Sequence, residues 1–256
     1  MYQERSRVLR PVAIMPYILE PSQLFFAVNP SSSVMDEVVI SANRRPQKIT
    51  KAPATVNVIS AKQIADFPGP NPGELAARQK GVDFIRTGVQ GTGINIRGFN
   101  SAFNSKNLQI EDGRISSLVA TGLPLGSFTT ITKEDIERVE IILGPNAALY
   151  GPNAHNGLVN TLTKDPRTSE GLDLVVGAGN QKQFTVRGRY AMEVSDKFAF
   201  KVWAERTQGE EFDYVDSVYV GTTAYDELDL DRDFSTTKYG AATYFSLNET
   251  SDLIAS

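Results

Sequence analysis

The chain has no cysteine, a single histidine and no long apolar run. Among its 256 residues there is no Cys and one His, and the formal net charge is -4 at pH 7. The lack of cysteine excludes disulfide bonds, thiolate metal sites and cysteine nucleophiles. The negative charge gives no support to nucleic-acid binding, so we expect no nucleic-acid partner. No stretch reaches the roughly 18 apolar residues of a spanning helix, although transmembrane β-strands would show no such stretch either.

Catalytic and metal-binding patterns are also scarce. The histidine, His155, lies in a turn rich in Gly and Asn, and no Gly-x-Ser-x-Gly or His-Glu-x-x-His pattern occurs. Asp229, Asp231 and Asp233 resemble the start of a calcium loop, but Phe234 stands where glycine is needed and no Glu occupies the last ligand position. We therefore expect no catalytic residue, no metal and no cofactor, and interpret the acidic segment as a solvated loop.

Residues 1–35 are interpreted as a leader or a degenerate export signal. Three arginines, Arg5, Arg7 and Arg10, precede an apolar stretch, as in the basic and apolar parts of a secretory signal. The fit is poor because Pro16 interrupts the stretch and no Ala-x-Ala cleavage site follows. An unstructured leader is the alternative.

Short strands and short helices alternate over residues 50–167. Ser60 and Gln63 form a capping-box pattern that predicts a helix after the strand at residues 56–59. Asn71 and Pro72 predict the start of a second helix, and Asp112-Gly113 predicts a tight turn. Further strands are predicted over residues 82–85, 94–96, 108–110, 138–143 and 158–162, and a helix capped by Thr132 over residues 133–137.

The period of the sequence changes to two residues after Gly171, which predicts strands. Phe184, Val186 and Tyr190 lie on one face, whereas Arg187 and Arg189 lie on the other. Strands of about ten residues tilted by ~45° rise roughly 23 Å, close to the ~25 Å apolar band of an outer-membrane barrel. Since an arginine facing lipid costs ~2–4 kcal/mol, both arginines should point inward and the apolar residues outward.

Four sequence motifs follow one another within residues 50–167. They are Ile-Asn-Ile-Arg-Gly-Phe at 94–99, Glu-Asp-Gly at 111–113, Glu-Arg-Val-Glu at 137–140 and Ala-Leu-Tyr-Gly at 148–151. In this order they resemble the plug domain of TonB-dependent outer-membrane receptors. The resemblance implies an α+β plug domain over residues 50–167, followed by antiparallel β-strands of a truncated transmembrane β-barrel over residues 168–256.

The resemblance also implies roles for individual residues. The plug-motif positions are Gly98, Asp112, Gly113, Gly144, Pro145, Tyr150 and Gly151. A plug inside a polar lumen must pair its charges, so four residues are expected to contact the barrel: Arg97, Glu137, Arg138 and Glu140. Charges on a solvated face are the alternative. One position departs from the family, because Leu143 stands where a basic residue usually precedes the Gly-Pro pair.

A short β-branched run precedes the plug-like region and favours an extended strand. It consists of Asp36, Glu37, Val38, Val39, Ile40, Ser41 and Ala42. In this place it resembles the TonB box, with residues 36–49 forming the box and a linker. The family's receptors use this box to bind TonB, the inner-membrane energy transducer, and an extended peptide can add to a sheet edge. An ordinary half-buried strand is the alternative.

The function implied by the resemblance is energy-coupled import across the outer membrane, with outer-membrane lipid and TonB as partners. The expected ligand is a scarce small molecule, first of all an iron-siderophore complex, with cobalamin or glycans as alternatives. Plugged transporters have about 22 strands, so we interpret the chain as a fragment. Because an incomplete barrel has open strand edges, a ligand-binding, defective or accessory plug-containing fragment without transport is the competing interpretation.

Overall fold

A computed structural model of the chain describes residues 38–42, 45–67, 73–86, 88–89, 92–98, 105–116, 129–212, 219–220, 223–224, 232–248 and 251–256. The predicted leader, Asp36 and Glu37, the predicted helix start at Asn71 and Pro72, and Asp229 and Asp231 lie outside these ranges. Within them, no helix is long and apolar enough to cross a membrane.

The amino-terminal domain is built from short elements that follow the predicted alternation. In chain order they are β1 (Val38–Val39), β2 (Gln47–Lys48), β3 (Thr55–Ser60), α1 (Ala61–Asp66), α2 (Gly73–Ala76), β4 (Val82–Arg86), β5 (Thr92–Ile96), β6 (Asn107–Glu111), β7 (Arg114–Ile115), β8 (Ile136–Leu143), α3 (Ala147–Tyr150) and β9 (Gly157–Thr163). The capping box is confirmed, because the Ser60 hydroxyl accepts from the Gln63 N–H and the Gln63 side chain accepts from the Ser60 N–H.

Five of these strands form the central sheet of the domain, in the order β3-β8-β9-β6-β7. Strands β6 and β9 run parallel, and the other neighbours run antiparallel. The hairpins β1-β2 and β4-β5 form separate sheets. One prediction was wrong: residues 133–137 form only a 3-10 turn, Lys133–Asp135, and Thr132 makes no side-chain cap bond. Strand β8 begins at Ile136 because this residue already pairs with Thr163 of β9.

Each face of the central sheet is covered by a different set of apolar residues. One face packs against α1, α2 and the β4-β5 hairpin, with Ile59, Ile96 and Ile141 almost fully buried. The opposite face, which includes Ile142 and Leu158, packs against Val39 and Ala42 of the amino-terminal segment. The amino-terminal segment is therefore part of the hydrophobic core of the domain.

The carboxy-terminal part is an antiparallel sheet of long strands in the order β10-β11-β12-β15-β16. The strands are β10 (Gly171–Ala178), β11 (Phe184–Ser195), β12 (Phe198–Glu210), β13 (Tyr219–Val220), β14 (Thr223–Ala224), β15 (Asp233–Asn248) and β16 (Ser251–Ala255). Strands β13 and β14 form a small separate hairpin between β12 and β15. The predicted fold class, an α+β plug followed by antiparallel strands, is confirmed.

The two faces of the long-strand sheet differ as predicted. The outward face exposes apolar side chains, among them Leu172, Leu174, Val176, Phe184, Tyr190, Val202, Tyr239 and Phe245. Aromatic rings gather near one end of this face, where the Phe198 and Phe245 centroids lie 4.7 Å apart. On the inward face Arg189 and Lys201 are buried against the amino-terminal domain. The predicted inward direction of Arg187 and Arg189 is therefore confirmed.

Candidate functional site: a docked amino-terminal segment and a buried ionic interface

The amino-terminal segment, Val38 to Ala42, is docked on the central sheet. Among the described strands, β1 pairs with β2 alone, through Val38↔Lys48 and Val39↔Gln47. Beyond Val39 the chain leaves the strand and bends. Val39 is 0% exposed, Ser41 1% and Ala42 2%, so most of the described part of the predicted TonB box is buried.

A single carboxylate binds the bend. Glu140 of β8 is fully buried and accepts the Ser41 N–H at 2.8 Å, the Ser41 hydroxyl at 2.6 Å and the Ile40 N–H at 3.0 Å. Its other oxygen accepts from Arg138 Nε at 2.9 Å. The carboxylate is therefore surrounded by donors, as a buried charge requires.

Two further side chains complete the binding of Ser41. Asn160 of β9 donates its amide to the Ser41 hydroxyl at 2.8 Å, and the Tyr150 hydroxyl donates to the Ser41 carbonyl at 2.7 Å. Asn160 and Glu140 are direct partners across the β8-β9 ladder. Every polar group of Ser41 is thus engaged by the central sheet or by α3. Sequence reasoning placed Ser41, Glu140 and Tyr150 in three different motifs and did not connect them.

The other plug-motif residues shape turns of the domain. Asp112 (φ 46°) and Gly113 (φ 81°) form the predicted turn between β6 and β7, and the Asp112 carboxylate accepts from the Thr163 N–H at 2.9 Å and the Thr163 hydroxyl at 2.7 Å. Gly144 (φ 124°) and exposed Pro145 follow β8, and Gly151 (φ 82°) ends α3. At Gly98 a Cβ would lie 2.6 Å from the Asn156 amide nitrogen, so a side chain here would have to displace the Asn156 side chain.

The structure describes contacts for the four residues predicted to meet the barrel. Arg138 pairs with Glu137 at 2.8 Å and with Glu140 at 2.9 Å, both within β8. Arg97 is exposed and has its guanidinium beside Gly144. These described contacts stay inside the amino-terminal domain, so a role of the four residues at the barrel stays a prediction.

Asp135, just before β8, forms the centre of the ionic interface with the long strands. It is 0% exposed and accepts from Arg189 Nε of β11 at 2.6 Å. Lys201 Nζ of β12 lies 2.9 Å from its second oxygen, an ion pair by distance without hydrogen-bond geometry. Lys201 also donates to the Thr163 hydroxyl at 2.6 Å and the Lys164 carbonyl at 2.8 Å. Two buried cations of the strands thus share one carboxylate of the domain.

Further bonds surround this centre. Arg187 Nε lies 2.9 and 3.0 Å from the two carboxylate oxygens of Glu134, and Trp203 Nε1 donates to the Thr130 carbonyl at 2.9 Å. Just before β10 in the chain, Arg167 donates to Asp252 of β16 through both terminal nitrogens, at 2.9 and 3.1 Å. Hydrogen bonding to Asp252 raises the pKa of the Arg167 guanidinium, which therefore stays charged.

Sequence reasoning missed Glu134 and Asp135, although a signal was present. The inward direction predicted for Arg187 and Arg189 required acidic partners on the domain that they face. Glu134 and Asp135 are separated from the Glu-Arg-Val-Glu motif by Ile136 alone and lie in the segment that was wrongly predicted as a helix. In the part of the chain that the structure describes, no group of His or acidic side chains converges as a metal site.

Comparison with known proteins agrees with this architecture. Residues 48–158 match the family TonB-dependent Receptor Plug Domain. Over 150 residues the chain is 36% identical to the vitamin B12 transporter BtuB of Vibrio vulnificus, covering 58% of this chain and 24% of that protein. Over 205 residues it is 30% identical to the vitamin B12 transporter BtuB of Photobacterium profundum, covering 80% of this chain and 32% of that protein. The chain therefore spans about a quarter to a third of the length of these relatives.

Solved structures show the same fold. The ferripyoverdine receptor of the outer membrane of Pseudomonas aeruginosa, bound to ferripyoverdine, matches with a TM-score of 0.63 at 17% identity, over 88% of this chain and 27% of that chain. The fold and the ionic interface define a plug domain docked on the first strands of an outer-membrane β-barrel. Residues 48–158 are thus a plug domain of the TonB-dependent receptors, a family of outer-membrane receptors and transporters rather than of enzymes.

Proposed function

We propose that the protein is a receptor for the energy-coupled uptake of a scarce small molecule across the outer membrane, with TonB as the energy transducer. The observation that carries this proposal is the amino-terminal segment, which is docked by hydrogen bonds on a domain that is itself held to the long strands by buried ion pairs. Such an arrangement links a segment of TonB-box character, through the plug domain, to the long strands. An extended segment of this kind can bind a partner by strand addition.

Cobalamin is the first ligand to test. The relatives of 36% and 30% identity are vitamin B12 transporters, whereas the likeness to the ferripyoverdine receptor, at 17% identity, concerns the fold alone. The sequence-based preference for an iron-siderophore complex is therefore ranked second in the proposal. Apolar residues on the outward face of the long strands support contact with outer-membrane lipid.

The test is uptake of labelled cyanocobalamin and ferripyoverdine by cells from which the complete gene has been deleted. We expect uptake of one compound, first cyanocobalamin, to fall to background and to return when the gene is restored. In a strain lacking TonB the restored gene should give binding at the cell surface without uptake. Uptake that does not depend on TonB would reject energy coupling, and unchanged uptake of both compounds in the deletion strain would reject both ligands.

A further inference from the structure

The hydrogen bonds that dock the amino-terminal segment use the same main-chain groups that strand addition needs. We propose that Glu140 is a latch: it holds Ile40 and Ser41 in a bent conformation that cannot pair with a partner strand, so that the partner gains access only after Glu140 releases them. This inference rests on the proposed function, because it names how access to the TonB-binding segment is regulated.

The geometry of the bend carries the proposal. In an extended strand, successive N–H groups point to opposite sides of the chain. Here the N–H groups of Ile40 and Ser41 converge on one oxygen of Glu140, at 3.0 and 2.8 Å. Accordingly β1 ends at Val39, and residues 40–42 form a bend and a turn. The latched conformation and a strand that includes Ile40 and Ser41 therefore exclude each other.

The acceptor groups of the segment are engaged as well. The Ser41 carbonyl accepts from the Tyr150 hydroxyl at 2.7 Å, and Val39 already pairs with Gln47. A partner strand would need free donors and free acceptors along the same stretch. Burial of Ser41 beneath the domain surface, at 1% exposure, removes access to its backbone.

The arrangement is also reversible, because Glu140 does not lose all its partners when the segment leaves. Arg138 Nε remains at 2.9 Å from the second carboxylate oxygen, and Arg138 carries a further pairing with half-exposed Glu137. A buried carboxylate left without a cation would strongly oppose release. With Arg138 in place, release of the segment is opposed by the loss of the hydrogen bonds to Ser41 and Ile40 and by the exposure of Val39 and Ala42.

A cysteine reporter can measure release directly, because the 256-residue chain has no cysteine of its own. Val39→Cys places a thiol at a position that is 0% exposed while the segment is docked, so the rate of maleimide labelling reports undocking. We expect Glu140→Gln to raise this rate about tenfold or more, since a bond to a charged group is worth roughly a factor of ten in an equilibrium. The Gln amide has one oxygen and one NH2 group, so in either orientation its NH2 group faces a donor, namely Arg138 or the N–H groups of Ile40 and Ser41.

Glu137→Gln is the matched control. It removes the same charge from the same strand, but Glu137 is half-exposed and has no contact with Ser41 or Ile40 among the described bonds. It should leave labelling of the Val39→Cys reporter unchanged. Ser41→Ala removes only the hydroxyl and should raise labelling in the same direction by a smaller factor. When Glu140→Gln is already present, Ser41→Ala should raise the labelling rate of the reporter little further.

A second reporter separates a latch from a general loss of structure. Ile64→Cys lies in the core on the opposite face of the sheet, at 1% exposure. Its labelling should not respond to Glu140→Gln in the full-length receptor in membranes. Equal acceleration of both reporters would mean that Glu140 stabilises the whole domain, and an unchanged Val39→Cys rate would mean that it does not hold the segment; either result overturns the latch.

Binding of the purified carboxy-terminal domain of TonB gives the functional readout. We expect Glu140→Gln to strengthen binding by about the same factor as it accelerates labelling, because both follow the released population. Accelerated labelling with weakened TonB binding would show that Glu140 recruits the partner, which overturns the proposed role. Labelling could respond as expected while no variant binds TonB. That result would uphold Glu140 as the contact that docks the segment but would reject TonB as the energy transducer of this receptor.

Discussion

The two sheets of the molecule bury their side chains in different ways. Strand β8 of the central sheet is buried at nearly every position, with apolar residues on both faces. Strand β12 of the long-strand sheet alternates between buried and exposed residues along its length. The difference shows that the central sheet is an ordinary domain core covered on two sides, whereas the long-strand sheet has one face against the domain and the other facing outward.

The two sheets also bury charges of opposite sign, carboxylates in the central sheet and cations in the long strands. In the central sheet the buried residues are mostly apolar, while the buried face of the long strands includes Arg189 and Lys201. Asp135 faces both cations, and Asp173 lies 3.7 Å from Arg189, so their buried charges are compensated. Apolar contacts with Ala199, Trp203 and Ala242 join the same interface to the core of the domain. The plug is therefore held by charge pairing and by apolar packing together.

The largest effect is expected from Asp135→Asn, which removes the carboxylate shared by Arg189 and Lys201. Breaking a buried ion pair from one side costs about 3–5 kcal/mol, and here two buried cations lose the carboxylate that lies closest to them. We expect the plug to become sensitive to protease at a clearly lower urea concentration than in the unmodified receptor. Pulse proteolysis of the receptor in membranes across a urea series measures this shift.

Asp165→Asn is the control for that measurement. Asp165 is 41% exposed in its side chain and lies 3.9 Å from the Arg167 guanidinium. Because Asn keeps an oxygen that can accept from the Arg167 N–H, the change should alter stability by less than about 1 kcal/mol. Equal shifts for the two variants would contradict the central position that we assign to Asp135.

Much of the fold, but less of the site, was predictable from the sequence. The two-residue period identified the long strands and the direction of Arg187 and Arg189, because alternation determines which side chains share a face. Alternation does not determine what covers that face. No pattern of the sequence indicated that Ser41, 99 residues earlier in the chain, donates to Glu140, and the barrel contact expected for Glu140 stays a prediction. Asp135 was missed because a short turn and a helix start have similar sequence patterns.

A smaller effect, from packing alone, is expected for Gly240→Ala on the inward face of β15. A Cβ at Gly240 would lie 2.4 Å from Cζ2 of Trp203, the only tryptophan of the chain. Overpacking of this kind costs about 1–3 kcal/mol. We expect a shifted Trp203 emission spectrum and a lower urea midpoint for plug release, because Trp203 also binds the Thr130 carbonyl.

Gly177→Ala is the control for packing, because a Cβ at Gly177 of β10 would have nothing within 4 Å. Its emission spectrum and midpoint should match those of the unmodified receptor. If Gly240→Ala behaved in the same way, the contact between Trp203 and β15 would not contribute to the interface.

The smallest effect is expected for Glu111, a buried acid of the central sheet that accepts from hydroxyls, whereas Asp135 is paired with cations. Glu111 is 4% exposed and accepts from the hydroxyls of Ser116 and Thr130, at 2.8 and 3.1 Å. Burial raises its pKa above the ordinary 4.5, although these hydroxyls oppose the rise. The folded plug therefore binds this proton more tightly than the unfolded chain does.

The sign of the resulting pH dependence follows from that difference. The contribution of Glu111 to stability is fully present below its ordinary pKa of 4.5 and is lost as pH rises through the raised value. Glu111→Gln removes this loss, so its advantage in urea midpoint over the unmodified receptor should grow as pH rises through that window and then level off. One proton limits the slope to about 1.4 kcal/mol per pH unit. An advantage that stays constant with pH, or grows toward acid, would show that the hydroxyl donors fully offset the effect of burial on the Glu111 carboxylate.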